Sequence, residues 1–421
     1  EMLFTSDGKY ALSTQFQGTL KGLKCANDPK KEKGNNSAII TVIDTATHKV
    51  LAYIPTGGQG SKIMAERPKR SSNEPTIIYV ANWFGDNLGV IDLDAAVRTQ
   101  KSCAEQTAPL ATEALLRKIQ FSDKVTKYPA KAPWKVAPRG TGFTLDGKYA
   151  IILGYETGTL QVVNAQTHAQ LAEMPPCGVE RKKVSFESEE EFQKEMAAAR
   201  KMRETVCPFD NFNLRHIILN KKGTVAYLSH MRGNAVSRID IAKLVREVEE
   251  GRARNGNNKL YLSQDTWSRI FIPFQTKSGP VNMLPLDSYS GDHPELPELK
   301  FHRAHPNTIF LDPVNNRYLY VSHRTTGMTD NARCRETKNA EEQFELGCKI
   351  DRDLMGKVDV VDTQNGEVVI SLVGGVSPTA LTASHDNRIL MSSGYRDDKI
   401  YFYDIGKALD LYERTLEQQG R

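Results

Sequence analysis

The chain has 421 residues, of which 39% are apolar and 25% are charged, so it is long enough for two or three globular domains or one large all-β architecture. Lys and Arg number 56 and Asp and Glu 51, a net charge of +5 that is too small to indicate a nucleic-acid-binding groove. No run approaches the ~18 consecutive apolar residues of a membrane-spanning helix, so we predict that the chain does not span a membrane. The first residues, Glu1 to Phe4, are neither an initiator methionine nor a signal peptide, and we expect sequence upstream of them.

One unit recurs along the chain: an apolar strand, a tight turn, a second strand, and a third strand that ends in Asp or Asn. Asp7-Gly8 and Asp146-Gly147 are typical of the hairpin turn between the first two strands. A terminal Asp or Asn bonds backbone N–H groups shortly downstream and so caps the next turn. The six third strands end at Asp44, Asp92, Asn164, Asp240, Asp362 and Asp404.

The spacing of these ends predicts the fold class. Successive ends are 48, 72, 76, 122 and 42 residues apart, by subtraction of their residue numbers. The shortest intervals match a four-stranded propeller blade of ~40–50 residues, and the longer ones equal a blade plus an insertion. We therefore predict an all-β fold, a single β-propeller domain over residues 1–421 with six countable blades. The predicted insertions are approximately 16–36, 93–137, 177–212, 241–300 and 325–355.

Helices are expected only in and around these insertions. The stretch 185–203 has acidic residues first and basic residues last, the order that the helix dipole favours. Residues 107–120 and 406–418 also have helical periodicity.

The cysteines indicate an oxidising compartment. They are six in number, an even count scattered through polar, loop-like sequence: Cys25, Cys103, Cys177, Cys207, Cys334 and Cys348. Cys177 and Cys207 bracket one insertion and Cys334 and Cys348 another, so we predict these two disulfides, with Cys25–Cys103 as the remaining pair. Reduced, buried thiols are the alternative. No C-x-x-C occurs, which excludes a covalent c-type haem.

The strands carry a family resemblance. Tyr79-Val-Ala-Asn82 and the run Val42-Ile-Asp-Thr-Ala-Thr-His-Lys-Val50 resemble the YVTN-type β-propeller repeat family, which includes lactonase-like and surface-protein-like members. The resemblance covers roughly two-thirds of the chain. It implies seven blades and an extracytoplasmic location, periplasmic or at the surface of a bacterium or archaeon, or secreted from it. The seventh blade would lie in a divergent stretch such as 256–300 or upstream of Glu1. The resemblance is specific for fold and weak for function.

Four histidines are the one group of residues in the sequence with the makings of a metal-binding or basic site. In the blade alignment His230 and His323 occupy equivalent places at the end of second strands. His216 and His305 fall near the start of first strands, at the same end of their blades. Gathered imidazoles bind copper or zinc, or act as a base. The favoured alternative is that each histidine forms only local hydrogen bonds.

Two further motifs have two interpretations each. Arg139 and Arg215 share one blade position and Arg324 follows His323, so this end either attracts an anion or is simply solvated. Gly57-Gly-Gln-Gly-Ser-Lys62 looks faintly like a phosphate cradle, but its place between blades favours a turn.

Three classes of function follow. We favour a binding or scaffold subunit of a larger assembly, which contacts protein partners through its insertions and one face. The first alternative is a redox-associated propeller with a histidine metal site or a cytochrome partner. The second is a lactonase-like hydrolase. The sequence contains no G-x-S-x-G, H-E-x-x-H or Walker motif, and the aligned positions offer no carboxylates for a metal-dependent lactonase, so the balance is against an enzyme.

Overall fold

A computed structural model describes most of the predicted strands and shows a nearly all-β chain of the propeller class. Its described residues are 1–15, 37–99, 108–121, 136–155, 157–174, 214–231, 235–251, 267–271, 305–324, 356–375, 377–394 and 398–418. These residues form six antiparallel sheets, which we number in chain order and which correspond to the six counted blades.

The first three sheets have four strands each. Sheet 1 contains β1 (Met2–Phe4), β2 (Tyr10–Thr14), β3 (Ile39–Asp44) and β4 (Val50–Pro55). Sheet 2 contains β5 (Ser61–Glu66), β6 (Ile77–Asn82), β7 (Asn87–Asp92) and β8 (Leu115–Gln120). Sheet 3 contains β9 (Pro138–Phe143), β10 (Tyr149–Gly154), β11 (Leu160–Asn164) and β12 (Gln170–Met174).

The remaining sheets follow the same order. Sheet 4 contains β13 (Leu214–Leu219), β14 (Val225–His230), β15 (Ala235–Asp240) and β16 (Trp267–Phe271). Sheet 5 contains β17 (His305–Leu311), β18 (Tyr318–Arg324), β19 (Gly356–Asp362) and β20 (Glu367–Gly375). Sheet 6 has three described strands, β21 (Pro378–Ala383), β22 (Ile389–Gly394) and β23 (Lys399–Asp404).

Helices follow three of the third strands. They are α1 (Leu93–Arg98), α2 (Ile241–Glu250) and α3 (Ile405–Gln418), and a short 3₁₀ helix covers Thr112–Ala114. The helix predicted over 406–418 is confirmed, and the one predicted over 185–203 lies outside the described residues. Within the described ranges, no helix is long and apolar enough to cross a membrane.

The helix predicted over 107–120 is wrong. Leu115–Gln120 is instead β8, the fourth strand of sheet 2, which pairs with β7. Pairing with a neighbouring strand satisfies the backbone of this segment and outweighs its local helical pattern. β8 and β16 also show that parts of the stretches predicted as insertions 93–137 and 241–300 belong to the sheets.

Strand register confirms the predicted equivalence of the third-strand ends. Each terminal Asp or Asn pairs with the first residue of the second strand of its own sheet. Several cap the following turn or helix as expected: the Asp44 carboxylate accepts from the Thr47 N–H at 2.6 Å, and the Asp92 carboxylate from the Ala95 N–H at 2.9 Å. We call this end of each sheet the turn end.

The opposite end of each sheet is where the second strand ends and the third begins. We call it the insertion end. It is marked by six residues that the register makes equivalent: Gln15, Asn82, Gly154, His230, His323 and Gly394.

The chain groups into two compact units. The first comprises Glu1–Leu214 with Ile241–Ser263, and the second Arg215–Asp240 with Gln264–Arg421. Within the first unit, apolar faces of sheets 1 and 2 share one core and those of sheets 2 and 3 another. Within the second unit, sheets 4 and 5 share a core, as do sheets 5 and 6 together with α3. The single-domain assignment stays a prediction.

Candidate functional site

The insertion end of sheet 5 contains a buried ionic cluster centred on Asp359. His323 forms the last residue pair between β18 and β19, with Lys357, and only 2% of His323 is exposed. Its Nε2 atom lies 3.0 Å from Asp359 Oδ2, and Lys357 Nζ lies 2.8 Å from the same oxygen. The other carboxylate oxygen accepts a 2.6 Å hydrogen bond from the Ser371 hydroxyl. Lys357 and Asp359 are two residues apart on β19, so both side chains lie on one face of the strand.

The charges in this cluster follow from burial and pairing. Burial alone raises the pKa of Asp359, but attraction to Lys357 and His323 outweighs it and holds the pKa well below its ordinary range. Burial lowers the pKa of His323, and its attraction to Asp359 only partly opposes this. At neutral pH the cluster is therefore a Lys357–Asp359 ion pair beside a neutral imidazole.

The two ring nitrogens of His323 have different neighbours. Nε2 approaches Asp359 Oδ2 to 3.0 Å, but within the described residues neither Nε2 nor Nδ1 makes a hydrogen bond. A carboxylate beside one imidazole nitrogen, with the other nitrogen unpartnered, resembles the surroundings of metal-ligating and basic histidines.

Sheet 4 has the same arrangement with a hydroxyl in place of the carboxylate. His230 is equivalent to His323, as predicted, and only 1% of it is exposed. Its Nε2 atom lies 2.5 Å from the hydroxyl of Ser237, the residue equivalent to Asp359. This geometry matches the local hydrogen bonding that the sequence favoured over metal ligation.

The other two predicted histidines lie on the neighbouring first strands. His216 is on β13, half-buried, with Nε2 3.5 Å from the Thr308 hydroxyl, and its backbone N–H donates to the Ser229 hydroxyl. His305 begins β17, where its backbone pairs with Arg324. In the parts of the chain that the structure describes, no three His, Cys, Asp or Glu side chains gather to hold a metal ion. The copper or zinc site stays a prediction.

A cluster of one arginine and three aromatic residues lies at the insertion ends of sheets 2 and 3. Arg139 is 3% exposed, and its guanidinium lies 4.7 Å from the Trp83 ring centre and 4.8 Å from that of Tyr155. Trp83 in turn stacks on Phe84 at 4.9 Å. Trp83 directly follows Asn82 and Tyr155 directly follows Gly154, so aromatic residues just past the second strands were the signal that sequence reasoning missed.

Arg139 and Arg215 are equivalent, as predicted. Thr144 in sheet 3 and Asn220 in sheet 4 are equivalent, because the N–H of each donates to the carbonyl of the first residue of the second strand. Arg139 and Arg215 each lie five residues before that donor. Arg215 is also buried, and its guanidinium lies 3.3 Å from the Met231 sulfur. Burial in both sheets argues against the solvated interpretation of these two arginines.

The glycine-rich stretch 57–62 forms a turn. Gly57 and Gly60 have φ values of +79° and +70°. The backbone N–H groups of Trp83 and Phe84 donate to the carbonyls of Gly60 and Gln59. These contacts bind the stretch to sheet 2 and support the turn rather than a phosphate cradle.

The predicted disulfides lie outside the described residues. Cys25, Cys103, Cys177, Cys207, Cys334 and Cys348 all fall in connections between described elements. The three disulfides therefore stay predictions.

Comparison with known proteins supports the fold and nothing finer. No family model and no curated protein matches the chain, so membership of the YVTN repeat family stays a prediction. Kuenenia stuttgartiensis hydrazine synthase is similar in structure, with 13% identity, a TM-score of 0.51, and coverage of 98% of this chain and 78% of that one. The periplasmic gluconolactonase of Pseudomonas aeruginosa is 12% identical with a TM-score of 0.49, and the match covers 96% of this chain and 80% of that one. A protein from Lactobacillus plantarum is 11% identical with a TM-score of 0.48, and the match covers 96% of this chain and 79% of that one.

Proposed function

We propose that this protein is a binding subunit of a larger extracytoplasmic assembly, and that the insertion ends of its sheets and the connections leaving them contact its protein partners. One observation carries the proposal: most long connections leave from insertion ends. Those at insertion ends are 16–36, 122–135, 175–213, 272–304 and 325–355, and those at turn ends are 100–107 and 252–266. Long connections usually persist for a binding role.

The side chains at the same ends have the composition of binding surfaces. Trp, Tyr and Arg are the residue types that contribute most to protein interfaces. Phe84 is 41% exposed and stacks on Trp83, whose ring packs against the buried Arg139 and Tyr155. Such a cluster is a preformed anchor that costs little conformational entropy on binding.

The extracytoplasmic part of the proposal depends on the cysteines. All six lie in connections between described strands and none in a described strand. A disulfide that closes such a connection restricts the unfolded chain, and disulfides persist in oxidising compartments. Peptide mapping without reduction is expected to find Cys177–Cys207 and Cys334–Cys348. Six free thiols would contradict both the pairing and the location.

The binding proposal is tested by shortening connections. One variant replaces 178–206 and 325–355, both at insertion ends, with short turns. The matched control shortens 252–263, which leaves from a turn end. We expect the first variant to fold yet lose its native partners on copurification, while the control keeps them. Retention of every partner by the first variant would refute the proposal.

A second candidate function is metal binding or base chemistry at His323. The observation that favours it is the buried His323 imidazole, which lies 3.0 Å from the Asp359 carboxylate and whose Nδ1 has no hydrogen-bond partner among the described residues. Calorimetric titration with Zn²⁺ and with Cu²⁺ tests it, with His323→Ala as the variant. His168→Ala is the control, because His168 lies in the other unit and bonds Tyr79. Stoichiometric binding that only His323→Ala abolishes supports this function, and equal behaviour of the three proteins rejects it.

A further inference from the structure

The turn between β11 and β12 is held against sheet 2 at four successive residues, each by a different side chain. Both sheets belong to the first unit. We call these four contacts the latch. They are Arg67 to the Ala165 carbonyl at 3.1 Å, Arg70 to the Gln166 side chain at 2.8 Å, Arg117 to the Thr167 carbonyl at 3.1 Å, and the Tyr79 hydroxyl to His168 Nδ1 at 2.7 Å.

His168 is the one latch residue whose ordinary pKa lies near neutrality. Burial raises the pKa of Tyr79, so its hydroxyl keeps its proton, and a neutral imidazole with an unprotonated Nδ1 accepts that proton in a hydrogen bond. Burial, with Arg67 and Arg117, lowers the pKa of His168. The neutral imidazole is therefore the form that fits the latch.

Protonation of His168 would add a third cation to the two guanidiniums and turn Nδ1 from an acceptor into a donor. The charged groups that act on His168 in the described structure are Arg67 and Arg117. The carboxylate of Glu74 is already paired with Arg67 at 3.1 Å and Arg70 at 2.8 Å. On sheet 3 itself, Lys148 is paired with Glu249 at 2.5 Å. These groups leave the imidazolium without a carboxylate of its own.

Two equivalent residues elsewhere lack this combination. His48 lies at the same place in the turn of sheet 1, four residues after the terminal Asp, with a φ of +56° against +59° for His168, but it is exposed. Tyr320 is equivalent to Tyr79, and its hydroxyl donates to the Asn387 side chain at 2.8 Å. An amide does not titrate. A buried tyrosine bonded to a titratable partner is thus found at the latch and not at these two places.

We propose that the latch is an acid-sensitive switch built into the fold: a neutral His168 keeps the turn joined to sheet 2, and its protonation releases the turn from Tyr79. The inference does not depend on the binding function proposed above, because it concerns turn ends and is tested without a partner. The cluster of Arg139 with Trp83 and Tyr155 joins the same two sheets at their insertion ends, so the switch acts on the pair of sheets that carries it.

Hydroxyl-radical footprinting of the full chain tests the proposal. The readout is the oxidation of Tyr79 relative to Tyr320, since the two are equivalent and each is 0% exposed. Mass spectrometry measures it at pH 7.5 and at pH 5, with circular dichroism to show that the chain is folded at both. We expect the ratio to rise about twofold or more in acid, because loss of one hydrogen bond changes an opening equilibrium by that much. A constant ratio would overturn the proposal.

The variant His168→Asn removes the titratable group. Asn suits the left-handed backbone of this position, as Asn316 and Asn387 show with φ values of +63° and +57°. We expect the same Tyr79 to Tyr320 ratio at both pH values in this variant, while the control His48→Asn rises in acid as the native chain does. A rise in His168→Asn equal to the native one, or loss of the rise in His48→Asn, would contradict the proposed role of His168.

A second measurement tests the direction of the hydrogen bond. Nuclear magnetic resonance of the folded chain with labelled histidines gives the titration midpoint of His168, which the spectrum of His168→Asn assigns. In Tyr79→Phe the neutral imidazole loses its donor, so we expect the midpoint to rise by about half a pH unit or more. A midpoint that stays or falls would show that the hydroxyl does not hold the neutral form, and would also overturn the proposal.

Discussion

Sheets 2 and 5 solve the same structural problem with different chemistry. At the insertion end of sheet 2, Asn82 donates to the Thr56 carbonyl at 2.9 Å and to the Asn87 side chain at 2.8 Å. The equivalent of Asn82 in sheet 5 is His323, that of Asn87 is Lys357, and that of Gly89 is Asp359. One sheet thus has a neutral hydrogen-bond network where the other has a buried ion pair and an imidazole.

The difference between the neutral network of sheet 2 and the ionic cluster of sheet 5 shows which polar groups the fold itself requires. Sheet 2 shows that a neutral network suffices to satisfy the buried polar groups at this place. Burying two charges costs several kcal/mol in desolvation, which pairing only offsets when the geometry is good. The ionic cluster of sheet 5 is therefore more than the fold requires, and it is the better candidate for a function.

The largest expected effect comes from breaking the ion pair. Asp359→Leu leaves the Lys357 ammonium buried without its counter-charge, and we expect a loss of about 3–5 kcal/mol in the free energy of unfolding. Urea unfolding measures it. The double variant Lys357→Met with Asp359→Leu is expected to recover most of the loss. The control Asp410→Leu breaks an exposed pair with Arg388 and should leave the unfolding curve nearly unchanged. A single variant as stable as the native chain would show that the cluster is not ionic.

The next effect tests why sheet 2 lacks a side chain where sheet 5 has Asp359. A Cβ atom on Gly89 would lie 2.2 Å from the Thr56 carbonyl oxygen, a backbone atom that Asn82 also uses. We expect Gly89→Ala to cost about 1–3 kcal/mol through overpacking, measured by urea unfolding. An unchanged midpoint would show that sheet 2 has room for a side chain at position 89, so steric exclusion is not the reason that it lacks one.

The comparison also shows what the sequence predicts. The Asp and Asn ends, the hairpin turns, and the equivalence of His230 with His323 all follow from short-range patterns, and strand register confirms them. The Asp359 cluster was missed, although its signal is visible in Lys357-Val-Asp-Val-Val361, where charged residues alternate with valines. Pairing across strands decides which of such charges meet, and β8 was mistaken for a helix for the same reason. One sequence contains little direct information on pairs distant in the chain.

Acid stability gives a smaller effect that isolates His323. Burial lowers its pKa below the ordinary 6.5, so as pH falls through 6.5 the unfolded chain binds a proton that the folded chain does not. Stability is therefore lost towards acid, by at most about 1.4 kcal/mol per pH unit for one proton. His323→Asn, which copies Asn82, is expected to flatten the decline between pH 7 and pH 5 in thermal unfolding. His168→Asn is the comparison variant: burial also lowers the pKa of His168, so this variant should flatten the same decline by its own share. An unchanged slope in His323→Asn would mean that His323 is charged when folded.

The smallest effect concerns sheet 4, which is intermediate between the two solutions because it has the histidine of sheet 5 without the carboxylate. Ser237→Ala removes the hydroxyl that lies 2.5 Å from His230 Nε2. No carboxylate takes part in this bond, so we expect a loss of about 0.5–1.5 kcal/mol in the free energy of unfolding. The comparison variant is Ser371→Ala in sheet 5, where the hydroxyl donates to the Asp359 carboxylate. A bond to a charged group contributes about 1.5–3 kcal/mol, so Ser371→Ala should cost more than Ser237→Ala. Urea unfolding of both variants under one buffer gives the ranking. The reverse ranking would place a charge in sheet 4 rather than in sheet 5.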